Sequence, residues 1–231
     1  MKKLFIAMFC MALLTNSKSQ TYIQGGVNLA NITNTTSGQT EDNNMLTTFN
    51  AGILSRFGLS KVIDLESGVL FTGKGSKAQT YFTSGSTNDN YVITKFNPYY
   101  IEVPLNVVVR VPVKGTHGLF FYAGPYAAIG VAGKSTTDQK ILGISSHSEN
   151  DIQYANDNPF TSRQEDASYY KLKRFDFGLN GGGGIDVGKL LLKVNYGYGL
   201  TKINSTESNN ASDDKNKYRT LSFSLGIPIG K

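Results

Sequence analysis

Apolar and polar residues alternate along most of this chain, and the alternation is cleanest over residues 175–202, FDFGLNGGGGIDVGKLLLKVNYGYGLTK. A two-residue loop at Gly188-Lys189, with glycine first as a type II′ turn requires, pairs Val187 with Leu190 and sets the register of two long strands. One face then carries Phe175, Phe177, Leu179, Ile185, Val187, Leu190, Leu192, Val194, Tyr196, Tyr198 and Leu200. The other carries Arg174, Asp176, Asn180, Asp186, Lys193, Asn195 and Thr201 among glycines. Both strands approach or exceed the roughly 9 to 11 residues that a tilted strand needs to cross a bilayer.

The same pattern predicts further strands near 22–32, 47–57, 62–74, 95–111, 119–133 and 218–229, eight in all with the hairpin. Long polar connections are expected at 33–44, up to about 90, at 134–168 and at 204–216, with short turns at 58–61, 112–118 and 188–189. Regular alternation of long and short connections is what an all-β, eight-stranded antiparallel up-and-down transmembrane β-barrel gives when one rim faces a confined compartment. No later window holds 18 consecutive apolar residues, so transmembrane helices are not expected.

A secreted lipocalin-like ligand-binding barrel would show the same alternation, and the content of the polar face separates the two. A water-facing side is dense in Lys and Glu, whereas here that face is mostly Gly, Asn, Ser, Thr and Tyr with a few charges of both signs, as a narrow lumen requires. The apolar face is broad enough for lipid contact and is expected to put Leu190, Leu192, Val194, Tyr196 and Tyr198 against lipid. Aromatic residues at the long-loop ends, among them Tyr91, Phe96, Tyr99, Tyr169, Tyr170, Phe175, Tyr198 and Tyr218, suit a water–lipid boundary.

Residues 1–19 differ from the rest. Lys2 and Lys3 precede an apolar run from Leu4 to Leu14, and Ser17 and Ser19 supply small residues for cleavage, so a signal peptide is expected, with one barrel domain over 20–231. Cys10, the only cysteine, lies inside that run, so the mature chain has no disulfide or thiolate metal site. Loss of Lys2, Lys3 and Lys18 lowers the formal charge from +6 to +3, too little and too scattered to bind nucleic acid.

Charges on the inward face carry the most specific expectation. Eight strands enclose a lumen that side chains roughly fill, so Arg56, Glu66, Glu102, Arg110, Arg174, Asp176 and Lys193 must pair with one another or with water. Such a lumen charge network would lock the barrel and block free diffusion. Glu102 and Arg110, eight residues apart on one strand, belong to clusters near opposite rims. Neither His147 among serines nor the tetraglycine Gly181–Gly184 has the spacing of a catalytic or phosphate-binding motif, and the latter reads as close packing under Tyr196. The acidic and Asn sets at 41–44 and Asp213-Asp214 read as solvated loop tips. No catalytic residue, cofactor or metal is therefore expected.

The segments YYIEVPLNVVVRVP at 99–112, FDFGLNGGGGIDV, VNYGYGLTKI and GGVNLANI resemble the PorT-like outer-membrane β-barrel proteins of the Bacteroidota over essentially the whole mature chain. The resemblance implies a bacterial outer-membrane location and varied or unassigned function; the founding member acts in a secretion and gliding apparatus. The expectation is a non-enzymatic barrel with a structural or surface-interaction role through long loops. Its partners would be outer-membrane lipid, lipopolysaccharide and other envelope proteins. A small channel or an accessory part of a secretion machine, and a rim-based lipid A-modifying enzyme, stand as alternatives.

Overall fold

A computed structural model describes residues 19–36, 39–42, 45–84, 87–112, 118–156, 171–203 and 216–229. The expected signal segment up to residue 18, the Asp213-Asp214 tip and Tyr169 and Tyr170 lie outside the described residues.

The strands are β1 (Ser19–Thr36), β2 (Gln39–Asp42), β3 (Leu46–Gly58), β4 (Ile63–Gly73), β5 (Ser76–Ser84), β6 (Thr87–Pro112), β7 (Gly118–Ile141), β8 (Ile144–Asp151), β9 (Gln153–Ala155), β10 (Lys171–Lys173), β11 (Phe175–Asp186), β12 (Leu191–Gly199) and β13 (Lys217–Ile229). Eight of them, β1, β3, β4, β6, β7, β11, β12 and β13, pair antiparallel with their neighbours in chain order, and β13 closes on β1 from Thr21 opposite Ile229 to Thr33 opposite Lys217. The fold is the all-β, eight-stranded up-and-down barrel. Closure leaves no unpaired edge around the ring, the condition for crossing hydrocarbon with strands.

At the hairpin, Gly188 has φ +83°, Val187 N–H donates to Leu190 O at 2.9 Å, and Ile185 stands opposite Leu192. This is the register that Gly188-Lys189 dictates. Outward positions form an apolar surface: Ile23, Ile53, Val69, Val107, Phe121, Leu192, Val194, Tyr196, Tyr198 and Leu225 are all exposed. Leu190, at the turn, is half-buried.

Three connections expected to be polar loops contain strand. Thr33–Thr36 pairs with β2, β5 pairs with the first part of β6, and the last part of β7 pairs with β8. The 26-residue β6 and 24-residue β7 thus run far past the length a membrane needs and rise above the rim as the centre of a four-stranded blade, β5-β6-β7-β8. The physical reason is that a ladder with water on both faces has no apolar side, so its residues lack the period of two by which a half-buried strand is read.

A bulge marks where barrel becomes blade. Tyr99 stands opposite Ala132 and Tyr100 opposite Gly130, which leaves Val131 as the extra residue of β7. Below the bulge odd positions of β7 face outward; above it Lys134 is exposed and Ser135 is buried, so the parity has reversed.

Candidate functional site

The inward face of the barrel holds two charge clusters with a polar cavity between them. Toward the short-turn rim, Glu66 is fully buried. Arg56 stands directly across the ladder from it, and the Arg56 Nε contact to Glu66 Oε2 is 2.7 Å. Lys193, from the opposite wall, places Nζ 2.9 Å from Glu66 Oε1. The Tyr22 hydroxyl donates to Glu66 Oε2 at 2.7 Å and accepts from Lys193 Nζ at 2.8 Å, while Asn106 Nδ2 reaches Glu66 Oε1 at 3.3 Å. Arg56 also lies over the Phe120 ring, 4.0 Å from its centre. One carboxylate here serves two cations.

Toward the other rim the ratio is inverted. Lys74 Nζ lies 2.8 Å from Asp176 Oδ2 and 3.0 Å from Glu102 Oε2. Tyr126 and Thr201 hydroxyls donate to Asp176 at 3.0 and 2.6 Å, and Asn180 Nδ2 donates to Glu102 Oε1 at 3.1 Å. The Lys74 ammonium sits 4.1 Å from the centre of the Tyr126 ring. Across both clusters the cations Arg56, Lys193 and Lys74 equal in number the carboxylates Glu66, Glu102 and Asp176, so the two clusters together are neutral while each alone is not.

Between them lies a cavity of about 40 Å³ bordered by Glu66, Lys74, Glu102, Asn180 and Lys193. Gln24 Oε1, Asn106 Oδ1 and Asn195 Oδ1 have no protein partner, and their residues border it; the space suits about three water molecules. Apolar and aromatic side chains fill the lumen at both ends. Leu54, Val108, Phe120, Tyr122 and Leu191 pack at the short-turn end. At the other, Ile32, Tyr100, Tyr126, Ile152, Leu172, Ile203 and Tyr218 form a cap, with the Tyr100 and Tyr218 hydroxyls 3.2 Å apart. The parallel pair β9-β10 joins this cap: Tyr154 donates to Ala132 O at 2.7 Å at the bulge, and its ring occupies the space where a Cβ on Gly130 would stand.

Of the seven charges read from sequence, the structure groups Arg56, Glu66 and Lys193 in one cluster and Glu102 and Asp176 in the other. Arg110 is apart, half-exposed at the short-turn rim with Nη2 2.7 Å from Asp64 Oδ1. Arg174 is also apart and donates from Nη2 to Tyr154 O at 3.3 Å. Sequence reasoning left out Lys74, the centre of the second cluster, although it shares the parity of Asp64, Glu66 and Thr72. It also left out the tyrosines that seat the ions.

Two packing expectations are corrected. The tetraglycine does not lie under Tyr196: Gly182 and Gly184 face inward, where an added Cβ would meet the Tyr122 hydroxyl at 2.8 Å and the Phe120 ring at 2.5 Å, whereas Gly181, opposite Tyr196, has open space. Tyr218 and Phe96 are not boundary residues; Tyr218 is buried in the cap and Phe96 packs against it, since both share the parity of inward neighbours. His147 lies exposed on β8 with Nδ1 2.6 Å from Asp138 Oδ1, an interaction that holds the Asp138 carboxyl below its ordinary pKa. Among the described residues neither Ser145, Ser146 nor Ser148 hydrogen-bonds to it, so no nucleophile and base are assembled there.

The family described as "Outer membrane protein beta-barrel domain" matches residues 15–205. Among solved structures, the attachment invasion locus protein Ail of Yersinia pestis is similar at 13% identity and a TM-score of 0.39, covering 91% of this chain and 99% of its own. Neisserial surface protein A is similar at 13% identity and a TM-score of 0.43, covering 90% of this chain and 97% of its own. No curated protein matches the chain.

Proposed function

Because the chain belongs to the outer membrane protein β-barrel domain family, we propose that this outer-membrane surface protein works without enzymatic activity, as a closed barrel that holds a β-blade outside the cell for contact with other surfaces or envelope proteins. The observation that carries this reading is the blade itself. Among the described residues its outer strands β5 and β8 pair only with β6 and β7, which presents two sheet edges for strand addition by an extended peptide. Its tips expose Tyr81, Leu142 and Ile144, the last 74% exposed, an arrangement that costs solubility and serves contact. The lumen clusters and caps support the closed state: a hydrated ion would have to displace ion pairs that already satisfy one another. Outward Leu192, Val194, Tyr196 and Tyr198, with Leu190 at the turn, meet lipid in this reading, and a signal peptide delivers the chain to the periplasm. The PorT-like strand motifs are consistent with a place beside envelope machinery.

The chain's only cysteine lies in the expected signal, so a single new thiol reports topology. Ser146→Cys on β8 is expected to react with a membrane-impermeant maleimide on intact cells. Labelling only after the outer membrane is permeabilised would put the blade in the periplasm and contradict the proposal.

A further inference from the structure

We propose that the outer rim carries a phosphate site, built from Lys77, Lys95 and Lys134 above Tyr99, that binds the phosphorylated glycolipid headgroups of the outer leaflet. It rests on the outer-membrane orientation adopted above. The three lysines border one pocket of about 450 Å³ on the outside of the barrel, together with Met45, Asn97 and Tyr99.

Two local features of the backbone bring them together. Gly75, at φ +127°, carries the chain from β4 into β5, and a side chain there would strike Phe96 O; beyond it Lys77 stands beside Lys95. The bulge at Val131 reverses the parity of β7 and turns Lys134, opposite Asn97, to the same outer face. Without it Lys134 would have the inward parity of Tyr126 and Ala128.

Lys77 and Lys95 are directly opposed across the ladder, a placement that repels unless an anion lies between. Among the described residues the carboxylates on this face come from β7 and β8. Glu149 pairs with Lys134, and Asp138 is 4.0 Å from Lys95 while shared with His147. Among the described residues, Lys77 makes no ion pair and no carboxylate borders the pocket.

Height and neighbours select a lipid source for the anion. Below the pocket, Phe49, Phe71 and Tyr99 form an outward aromatic cluster, with Phe71 and Tyr99 ring centres 5.3 Å apart, followed down β6 by Ile101, Val103, Leu105 and Val107. Lys95 is four residues above Tyr99, roughly 10 Å along the barrel axis for a tilted strand, which places the ammonium groups at headgroup level when Tyr99 marks the hydrocarbon boundary. A phosphate monoester on a glycolipid could thus meet the lysines while its acyl chains run along the apolar wall.

The test uses the full chain folded in neutral detergent and titrated with bisphosphorylated lipid A, with phosphate-free lipid A and with inorganic phosphate. The variant K77Q/K95Q/K134Q is expected to bind bisphosphorylated lipid A at least about tenfold more weakly than wild type and phosphate-free lipid A equally, since each lysine near a phosphate surface contributes measurably. K77R/K95R/K134R should retain binding. Equal affinity of the glutamine variant and wild type would overturn the site. Inorganic phosphate binding as tightly as lipid A would overturn its lipid source. Labelling of Ser146→Cys on the same cells keeps the readings apart: outside labelling with unchanged lipid affinity removes the site alone, whereas labelling only after permeabilisation removes the orientation.

Discussion

Glu66→Gln is expected to be the most damaging single substitution in the lumen. Glutamine keeps the volume and can still accept from Tyr22, so the change isolates charge. Arg56 and Lys193, almost fully buried on either side, would then share no anion. Removing one partner of a buried ion pair leaves an uncompensated charge in a low-dielectric site and costs about 3–5 kcal/mol. The folded barrel in lipid vesicles should therefore unfold at clearly lower urea, with the slope of the transition unchanged. A midpoint within error of wild type would mean that Glu66 does not anchor the short-turn half.

Lys74→Met should have a comparable effect of opposite charge. Methionine can occupy the bed among Tyr100, Tyr126 and Tyr218, but Asp176 and Glu102 would face each other without their shared cation. The expected loss is again about 3–5 kcal/mol. The double variant Glu66→Gln/Lys74→Met separates two accounts of the lumen. It restores overall neutrality yet leaves each cluster unbalanced. If local pairing holds the barrel, the two losses add to within about 0.5 kcal/mol, as for sites without shared partners. If net lumen charge were what mattered, the second substitution would rescue the first.

The barrel was legible because its strands have two different surroundings. Lipid on one side and a packed lumen on the other force a period of two from Tyr22 to Ile229, and Gly188 pins the register of the last hairpin. Where both sides are largely wet, at 77–82, 91–94 and 136–151, the period is lost, so the blade could not be told from loop. The Val131 bulge was illegible for another reason: one extra residue against a partner strand is a property of pairing, which no single strand records.

The charged members of the lumen were legible as inward residues, but their grouping was not. Arg56 and Glu66 meet across one ladder, which the turn at 59–62 nearly dictates. Lys193 and Glu66 are 127 positions apart and meet only because the ring closes. Lys74 shares the polar parity of Asp64, Glu66 and Thr72, but parity alone does not tell which inward residues meet one another. Its seat among three tyrosines from separate strands exists only in the closed barrel.

In the proposed function, these clusters and caps make the barrel a sealed platform for its blade. Planar-bilayer recording of the purified, folded wild-type protein reads the seal itself. Flat current, with no discrete steps across the voltage range at which the bilayer itself is stable, is the predicted result. Reproducible unitary steps at low protein concentration would show that the lumen opens, and would contradict the sealed-platform account.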